Sequence, residues 1–86
     1  MYKLLVRPRA EKNFAKLPQK VRLKVLQSLK KLEEDPYKNS LDIKKLTGTK
    51  DSFRLRIGEI RVIYELDSKN SEIFVGDIDF RRTGTY

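Results

Sequence analysis

The chain has 86 residues, 38% of them hydrophobic and 37% charged, enough for one domain with a modest core over residues 1–86 and no second domain. It contains no cysteine and no histidine, which excludes disulfides, thiolate nucleophiles, Ser-His-Asp chemistry and metal sites cornered by His or Cys. The net charge of +8 is unevenly placed, with 14 Lys/Arg against 5 Asp/Glu in residues 1–50 and 6 against 7 in residues 51–86, and a basic half of this kind points to an anionic partner.

Tyr2-Lys3-Leu4-Leu5-Val6 is a short apolar run ended by Pro8 and reads as a first strand. From Pro8 the period changes, and Ala10, Phe14 and Leu17 fall on one face of a short helix. Pro18 stops that helix and starts another, in which Val21, Val25, Leu29 and Leu32 recur at helical spacing until Glu33-Glu34-Asp35-Pro36 ends it. The two helices form a hairpin whose apolar faces need a sheet. Tyr37 to Ser52 is polar and basic, a loop with one further short edge strand at Ile43–Leu46. A three-stranded meander follows. Phe53, Leu55 and Ile57 alternate with Arg54 and Arg56; Gly58-Glu59 turns the chain; Ile60, Val62, Tyr64 and Leu66 alternate with Arg61, Ile63 and Glu65. Asp67 to Asn70 turns again, and Glu72 to Phe80 is the last strand. The order β-α-α-β-β-β, with the extra edge strand, predicts a two-layer α+β domain. No apolar run reaches the roughly 18–20 residues of a membrane span. Met1–Ala10 has no signal-peptide core, so the expected location is the cytoplasm.

A period of two places Arg54 and Arg56 on the strand face opposite Phe53, Leu55 and Ile57. By the same parity Arg61 points away from Val62 and Tyr64, and the tight turn brings it beside Arg56. Three guanidinium groups on one face are either an anion site, since arginine grips phosphate with a planar fork, or a solvated face paired with Glu65, Asp77 or Asp79. Asp77 and Asp79 lack a third acidic ligand and read as arginine partners rather than a metal site. Arg81 and Arg82 follow the last strand, and Tyr86 is a candidate for base stacking or proton donation. Lys12, Lys16, Lys20, Lys24 and Lys31 form a basic helical face, a solvated surface by itself and a polyphosphate grip if joined to the arginine-lined sheet.

The whole chain resembles toxins of the RelE/ParE superfamily, the small toxins of prokaryotic toxin–antitoxin pairs. V-R-P-R-A-E-K-N-F-A-K-L-P resembles the family's first strand and short helix. K-K-L-T-G-T-K-D-S-F-R-L-R-I-G-E-I-R-V-I-Y-E-L-D resembles its central signature, and G-D-I-D-F-R-R-T-G-T-Y its final strand and tail. The resemblance is to the RelE branch in particular. It implies a largely antiparallel sheet backed by a helical hairpin, and a ribosome-dependent endoribonuclease that cuts messenger RNA in the A site. The cut is made without metal or cofactor, by 2′-hydroxyl attack on the adjacent phosphate. The implied catalytic residues are Arg81, Arg61, Arg56, Arg54 and Tyr86. Arg82, Lys50, Lys45, Lys44, Lys24 and Lys20 are the implied RNA-binding set. The implied partners are an acidic antitoxin of RelB type and the ribosome with its mRNA and rRNA, with no membrane and no small-molecule cofactor. Phe80 stands where some members have a tail histidine, and arginine stands where a relative has a candidate lysine base. Arginine does not deprotonate in proteins, so the base must be Tyr86, a carboxylate, an RNA group or water. The competing readings are a ParE-type inhibitor that binds DNA gyrase and an inactive, basic RNA-binding relative.

Overall fold

Two prolines set the helical boundaries. The computed structural model describes residues 1–37 and 40–80, and in it Pro8 opens α1 (Pro8–Ala15) directly after β1 (Lys3–Val6). Proline is tolerated there because the first helical N–H groups have no intrahelical acceptor. Pro18, at φ −57° and ψ 150°, is the N-cap of α2 (Gln19–Glu34). Arg22 ties the two helices together. Its Nη1 donates to the Leu17 carbonyl at 3.1 Å and the Ala15 carbonyl at 3.3 Å, satisfying acceptors just where α1 ends and a cation is favoured.

β2 (Asp42–Lys45), β3 (Ser52–Ile57), β4 (Ile60–Asp67) and β5 (Glu72–Phe80) complete the chain. They form one five-stranded sheet with β1, in the order β1-β5-β4-β3-β2. β1 runs parallel to β5, from Lys3 opposite Glu72 to Val6 opposite Val75, and every other pair is antiparallel. The architecture is therefore the expected α+β arrangement, a helical pair on a largely antiparallel sheet. The edge strand expected at Ile43–Leu46 is β2, one residue earlier. The parallel closure of the first strand against the last has no signature in the sequence.

Strand alternation divides the sheet into two faces. Leu55, Ile60, Val62, Tyr64, Leu66, Ile73, Val75 and Ile78 are buried against Val25, Leu29 and Leu32 of α2, with Ala10 and Leu17 closing the core from α1. Phe53 stacks on Tyr64 directly across β3 and β4, ring centroids 5.6 Å apart. Gly58 takes φ +59° at the first position of the two-residue β3–β4 turn, a conformation that favours glycine and locks the register of that hairpin. The β4–β5 ladder slips by one residue between Ile63 and Tyr64, leaving Gly76 unpaired as a bulge, with the Arg7 side chain 4.0 Å from the position a Cβ would take. Beyond Val75, where β1 has ended, α1 packs along β5.

Candidate functional site

The face of the sheet turned away from α2 carries the arginines. Ladder pairing sets Asp42 opposite Arg56, Arg56 opposite Arg61 and Arg61 opposite Asp79. One row across four strands therefore reads acid, arginine, arginine, acid. The next row is Lys44, Arg54, Ile63 and Asp77. The expectation that a tight turn brings Arg61 beside Arg56 describes the observed register.

The three arginines are not equivalent. Arg54 is the least exposed, at 18%, and its Nη2 donates to Asp42 Oδ1 at 3.2 Å. Arg61 reaches toward Asp79, with Nη2 3.8 Å from Oδ2, an ion pair longer than a hydrogen bond. Arg56 is exposed and donates from Nε to the Gly58 carbonyl at 3.3 Å, but forms no ion pair with a described residue. Glu65 pairs with none of them. Asp77 accepts from Asn13 Nδ2 at 3.1 Å and lies 3.8 Å from Arg9 Nε, so α1 holds it.

Two donors are left over. Nε of Arg54 and Nε of Arg61 are buried and have no acceptor among the described residues. A buried polar group without a partner costs about 1–3 kcal/mol, and more when it belongs to a charged group. An anion seated on this face would meet the accessible ends of the guanidinium groups and offset the repulsion between Arg56 and Arg61.

Other sequence-derived candidates are dispersed. Lys44 shares the arginine face, directly across from Arg54, whereas Lys45 lies opposite Phe53 and so belongs to the other parity at the sheet edge. Lys50 lines an open cavity of about 480 Å³ with Asp51, Glu65, Asp67, Lys69 and Phe74. Lys20 and Lys24 sit in the helical layer. Because Val25, Leu29 and Leu32 turn that helix toward the buried face, its lysines lie across the sheet from Arg54, Arg56 and Arg61, and the single grip joining the two surfaces is not formed. Arg81, Arg82 and Tyr86 lie outside the described residues.

The tyrosines within the described residues are not on this face. Tyr64 is in the core, where burial pushes its phenol far above the ordinary range, and Tyr2, also raised, stands near Tyr37 and Asp35. No group of three or more His, Cys, Asp or Glu among the described residues is placed to hold a metal, and no described helix is long and apolar enough to cross a membrane. Reading the sequence missed Asp42 as the partner of Arg54, Asn13 and Arg9 as the partners of Asp77, and Arg7, whose guanidinium lies 5.9 Å from the centre of the Phe74 ring. The period-two position of Asp42 on the edge strand was the available signal for the first.

A family model described as the ParE toxin of the type II toxin–antitoxin system parDE matches residues 4–83. Among solved structures, the fold is similar to the archaeal RelE–RelB complex from Pyrococcus horikoshii, with 28% identity and a TM-score of 0.83 over 96% of this chain and 98% of that one. It is similar to the isolated E. coli RelE toxin, at 23% identity and a TM-score of 0.83, covering 99% and 89% of the two chains. The RelBE2 toxin–antitoxin complex from Mycobacterium tuberculosis matches at 22% identity and a TM-score of 0.79, covering 93% and 98%. No curated protein matches the sequence.

Proposed function

From the premise that the chain belongs to the ParE toxin family of type II toxin–antitoxin systems, we propose that it is a toxin of the RelE type, a ribosome-dependent endoribonuclease that cuts messenger RNA. The observation that carries this reading is the cluster on one sheet face, Arg56 directly opposite Arg61 with Arg54 beside it on β3, in which the exposed guanidinium of Arg56 has no ion pair among the described residues. A protein that acts only by binding another protein has no need for three arginines held together on one sheet face. A phosphate takes them up.

The chemistry asks little of the domain. The 2′-oxygen attacks the adjacent phosphorus, the P–O5′ bond breaks, and the products are a 2′,3′-cyclic phosphate and a 5′-hydroxyl. Negative charge grows on the non-bridging oxygens, where preorganised arginine forks stabilise it. In-line alignment of message and phosphate is the part assigned to the ribosome. Arg81 and Tyr86, carried over from the resemblance, add a further fork and a proton-transfer candidate. A cytoplasmic antitoxin partner is part of the proposal: the similar structures from Pyrococcus horikoshii and Mycobacterium tuberculosis are toxin–antitoxin complexes. An acidic segment fits the basic charge of this chain.

The family match to ParE favours one second reading, inhibition of DNA gyrase by binding. Both are tested by giving purified protein to a translation reaction and to a gyrase supercoiling reaction. Cuts within translated messages that persist in EDTA, with supercoiling unaffected, support the nuclease. Blocked supercoiling with intact messages overturns it. Arg81→Ala should slow cleavage about 10²–10³-fold if its fork meets the phosphate.

A further inference from the structure

The arginine face holds cations in plenty, yet a 2′-hydroxyl must lose its proton before its oxygen can attack, and no arginine can accept one. Resting on the nuclease reading above, we infer that the Asp79 carboxylate is the general base.

The acids on this face can be compared one by one. Asp42 is engaged by a hydrogen bond from Arg54 at 3.2 Å. Asp77 accepts from Asn13 and is drawn toward α1, with Arg9 also beside it. Glu65 lies opposite Ser52 and Phe74, further along β4 from Arg61 with Ile63 between them. Asp79 stands at the end of the row that contains Arg61 and Arg56. Its one contact among the described residues is the 3.8 Å approach of Arg61, beyond hydrogen-bonding range, and its side chain is 50% exposed. Its oxygens therefore remain able to accept a proton while Arg61 keeps them beside the phosphate-binding forks.

The step balances without a co-reactant other than water. The 2′-hydroxyl proton passes to Asp79, the 2′-oxygen forms its bond to phosphorus, and the P–O5′ bond breaks. The leaving 5′-oxygen takes a proton from water, and Asp79 returns its own proton to solvent. The charged groups around Asp79 are Arg61 from β4, Arg56 beyond it on β3, and Asp77 on its own strand. From α1, Arg9 comes in alongside Asp77. β1 ends level with Val75 and contributes no charge here.

The test is single-turnover cleavage of a ribosome-bound message by the full chain and by Asp79→Asn and Asp79→Glu, between about pH 6 and 9. With the base supplied by the protein rather than by hydroxide, the parent rate should be nearly flat. Asp79→Asn should be about 10²–10⁴-fold slower, with a rate that now climbs with hydroxide concentration; Asp79→Glu should recover part of the loss. Three results overturn the inference. Parental cleavage by Asp79→Asn moves the base to Tyr86 or the RNA and leaves the nuclease reading intact. A slow Asp79→Asn with a flat pH profile means that Asp79 only positions Arg61. A parent chain that cuts no ribosome-bound message removes the nuclease reading and the base together.

Discussion

Arg56→Gln should separate activity from stability. Arg56 faces Arg61 across the β3–β4 ladder and has no ion pair among the described residues. Directly opposed like charges on neighbouring strands cost about 0.2–1 kcal/mol, and the substitution removes that cost. What is lost in exchange is one exposed hydrogen bond to the Gly58 carbonyl at 3.3 Å, worth about 0.5–1.5 kcal/mol at most. The two nearly cancel, leaving a net change within about 0.5 kcal/mol. For a domain of this size that is roughly 2–4 °C in Tm. On the nuclease reading the effect on cleavage should be much larger, since loss of one fork on a developing phosphate charge costs about 2.7–4 kcal/mol, or ~10²–10³ in rate. Thermal denaturation followed by circular dichroism, at low salt and at about 1 M salt where the Debye length falls to ~3 Å, gives the first number. Single-turnover cleavage of a ribosome-bound message gives the second. A fall in Tm of more than about 10 °C would show that Arg56 holds the hairpin together, and an unchanged cleavage rate would remove it from the phosphate site.

Leu32 is fully buried, and Leu32→Ala should cost about 2–5 kcal/mol, a large share of the stability of a small domain, read as a sharp drop in the urea midpoint. Asp42→Asn breaks the ion pair to Arg54, but Asp42 is 59% exposed, so stability should fall by no more than about 1 kcal/mol in the same urea titration. Hydrogen bonds from the Asn70 side chain and backbone, at 2.8 and 3.1 Å, hold the Asp67 carboxyl below the usual range. A lowered folded-state pKa stabilises above the unfolded value and is lost as pH falls through the folded one. Asn70→Ala should therefore be less stable than the parent at neutral pH, with the gap closing in acid below about pH 4; a gap that widens there would contradict the assignment. Naked RNA should be cut far more slowly than the same message on ribosomes, because the arginine face alone has few groups to hold a strand in line.

The arginine cluster was legible in the sequence because it depends on local rules alone. Alternation in Phe53–Ile57 and Ile60–Leu66 assigns the faces, and a two-residue turn with Gly58 at its first position leaves one register, which sets Arg56 against Arg61. The sidedness of Lys20 and Lys24 was also implicit, since Val25, Leu29 and Leu32 must meet Leu55 and Val62 on the face opposite the arginines. The parallel pairing of β1 with β5 was not legible: Leu4-Leu5-Val6 carries no mark of which distant strand it will join. Nor was the engagement of Asp77 by α1, which follows from the Gly76 bulge and from the early end of β1. Both depend on contacts between distant parts of the chain, beyond the reach of periodicity.

The parallel closure also bears on when the arginine face is completed. β5 is the last strand among the described residues, yet it lies inside the sheet, bonded to β1 on one side and β4 on the other. During synthesis β1 emerges first and waits, with its hydrogen-bonding groups and apolar side chains unmatched, until residues 72–80 are free to enter beside it. Asp79 reaches its place opposite Arg61 only with that insertion. A nascent chain whose residues 72–80 have not yet emerged therefore carries Arg54, Arg56 and Arg61 as translated residues but has no finished sheet face to hold them.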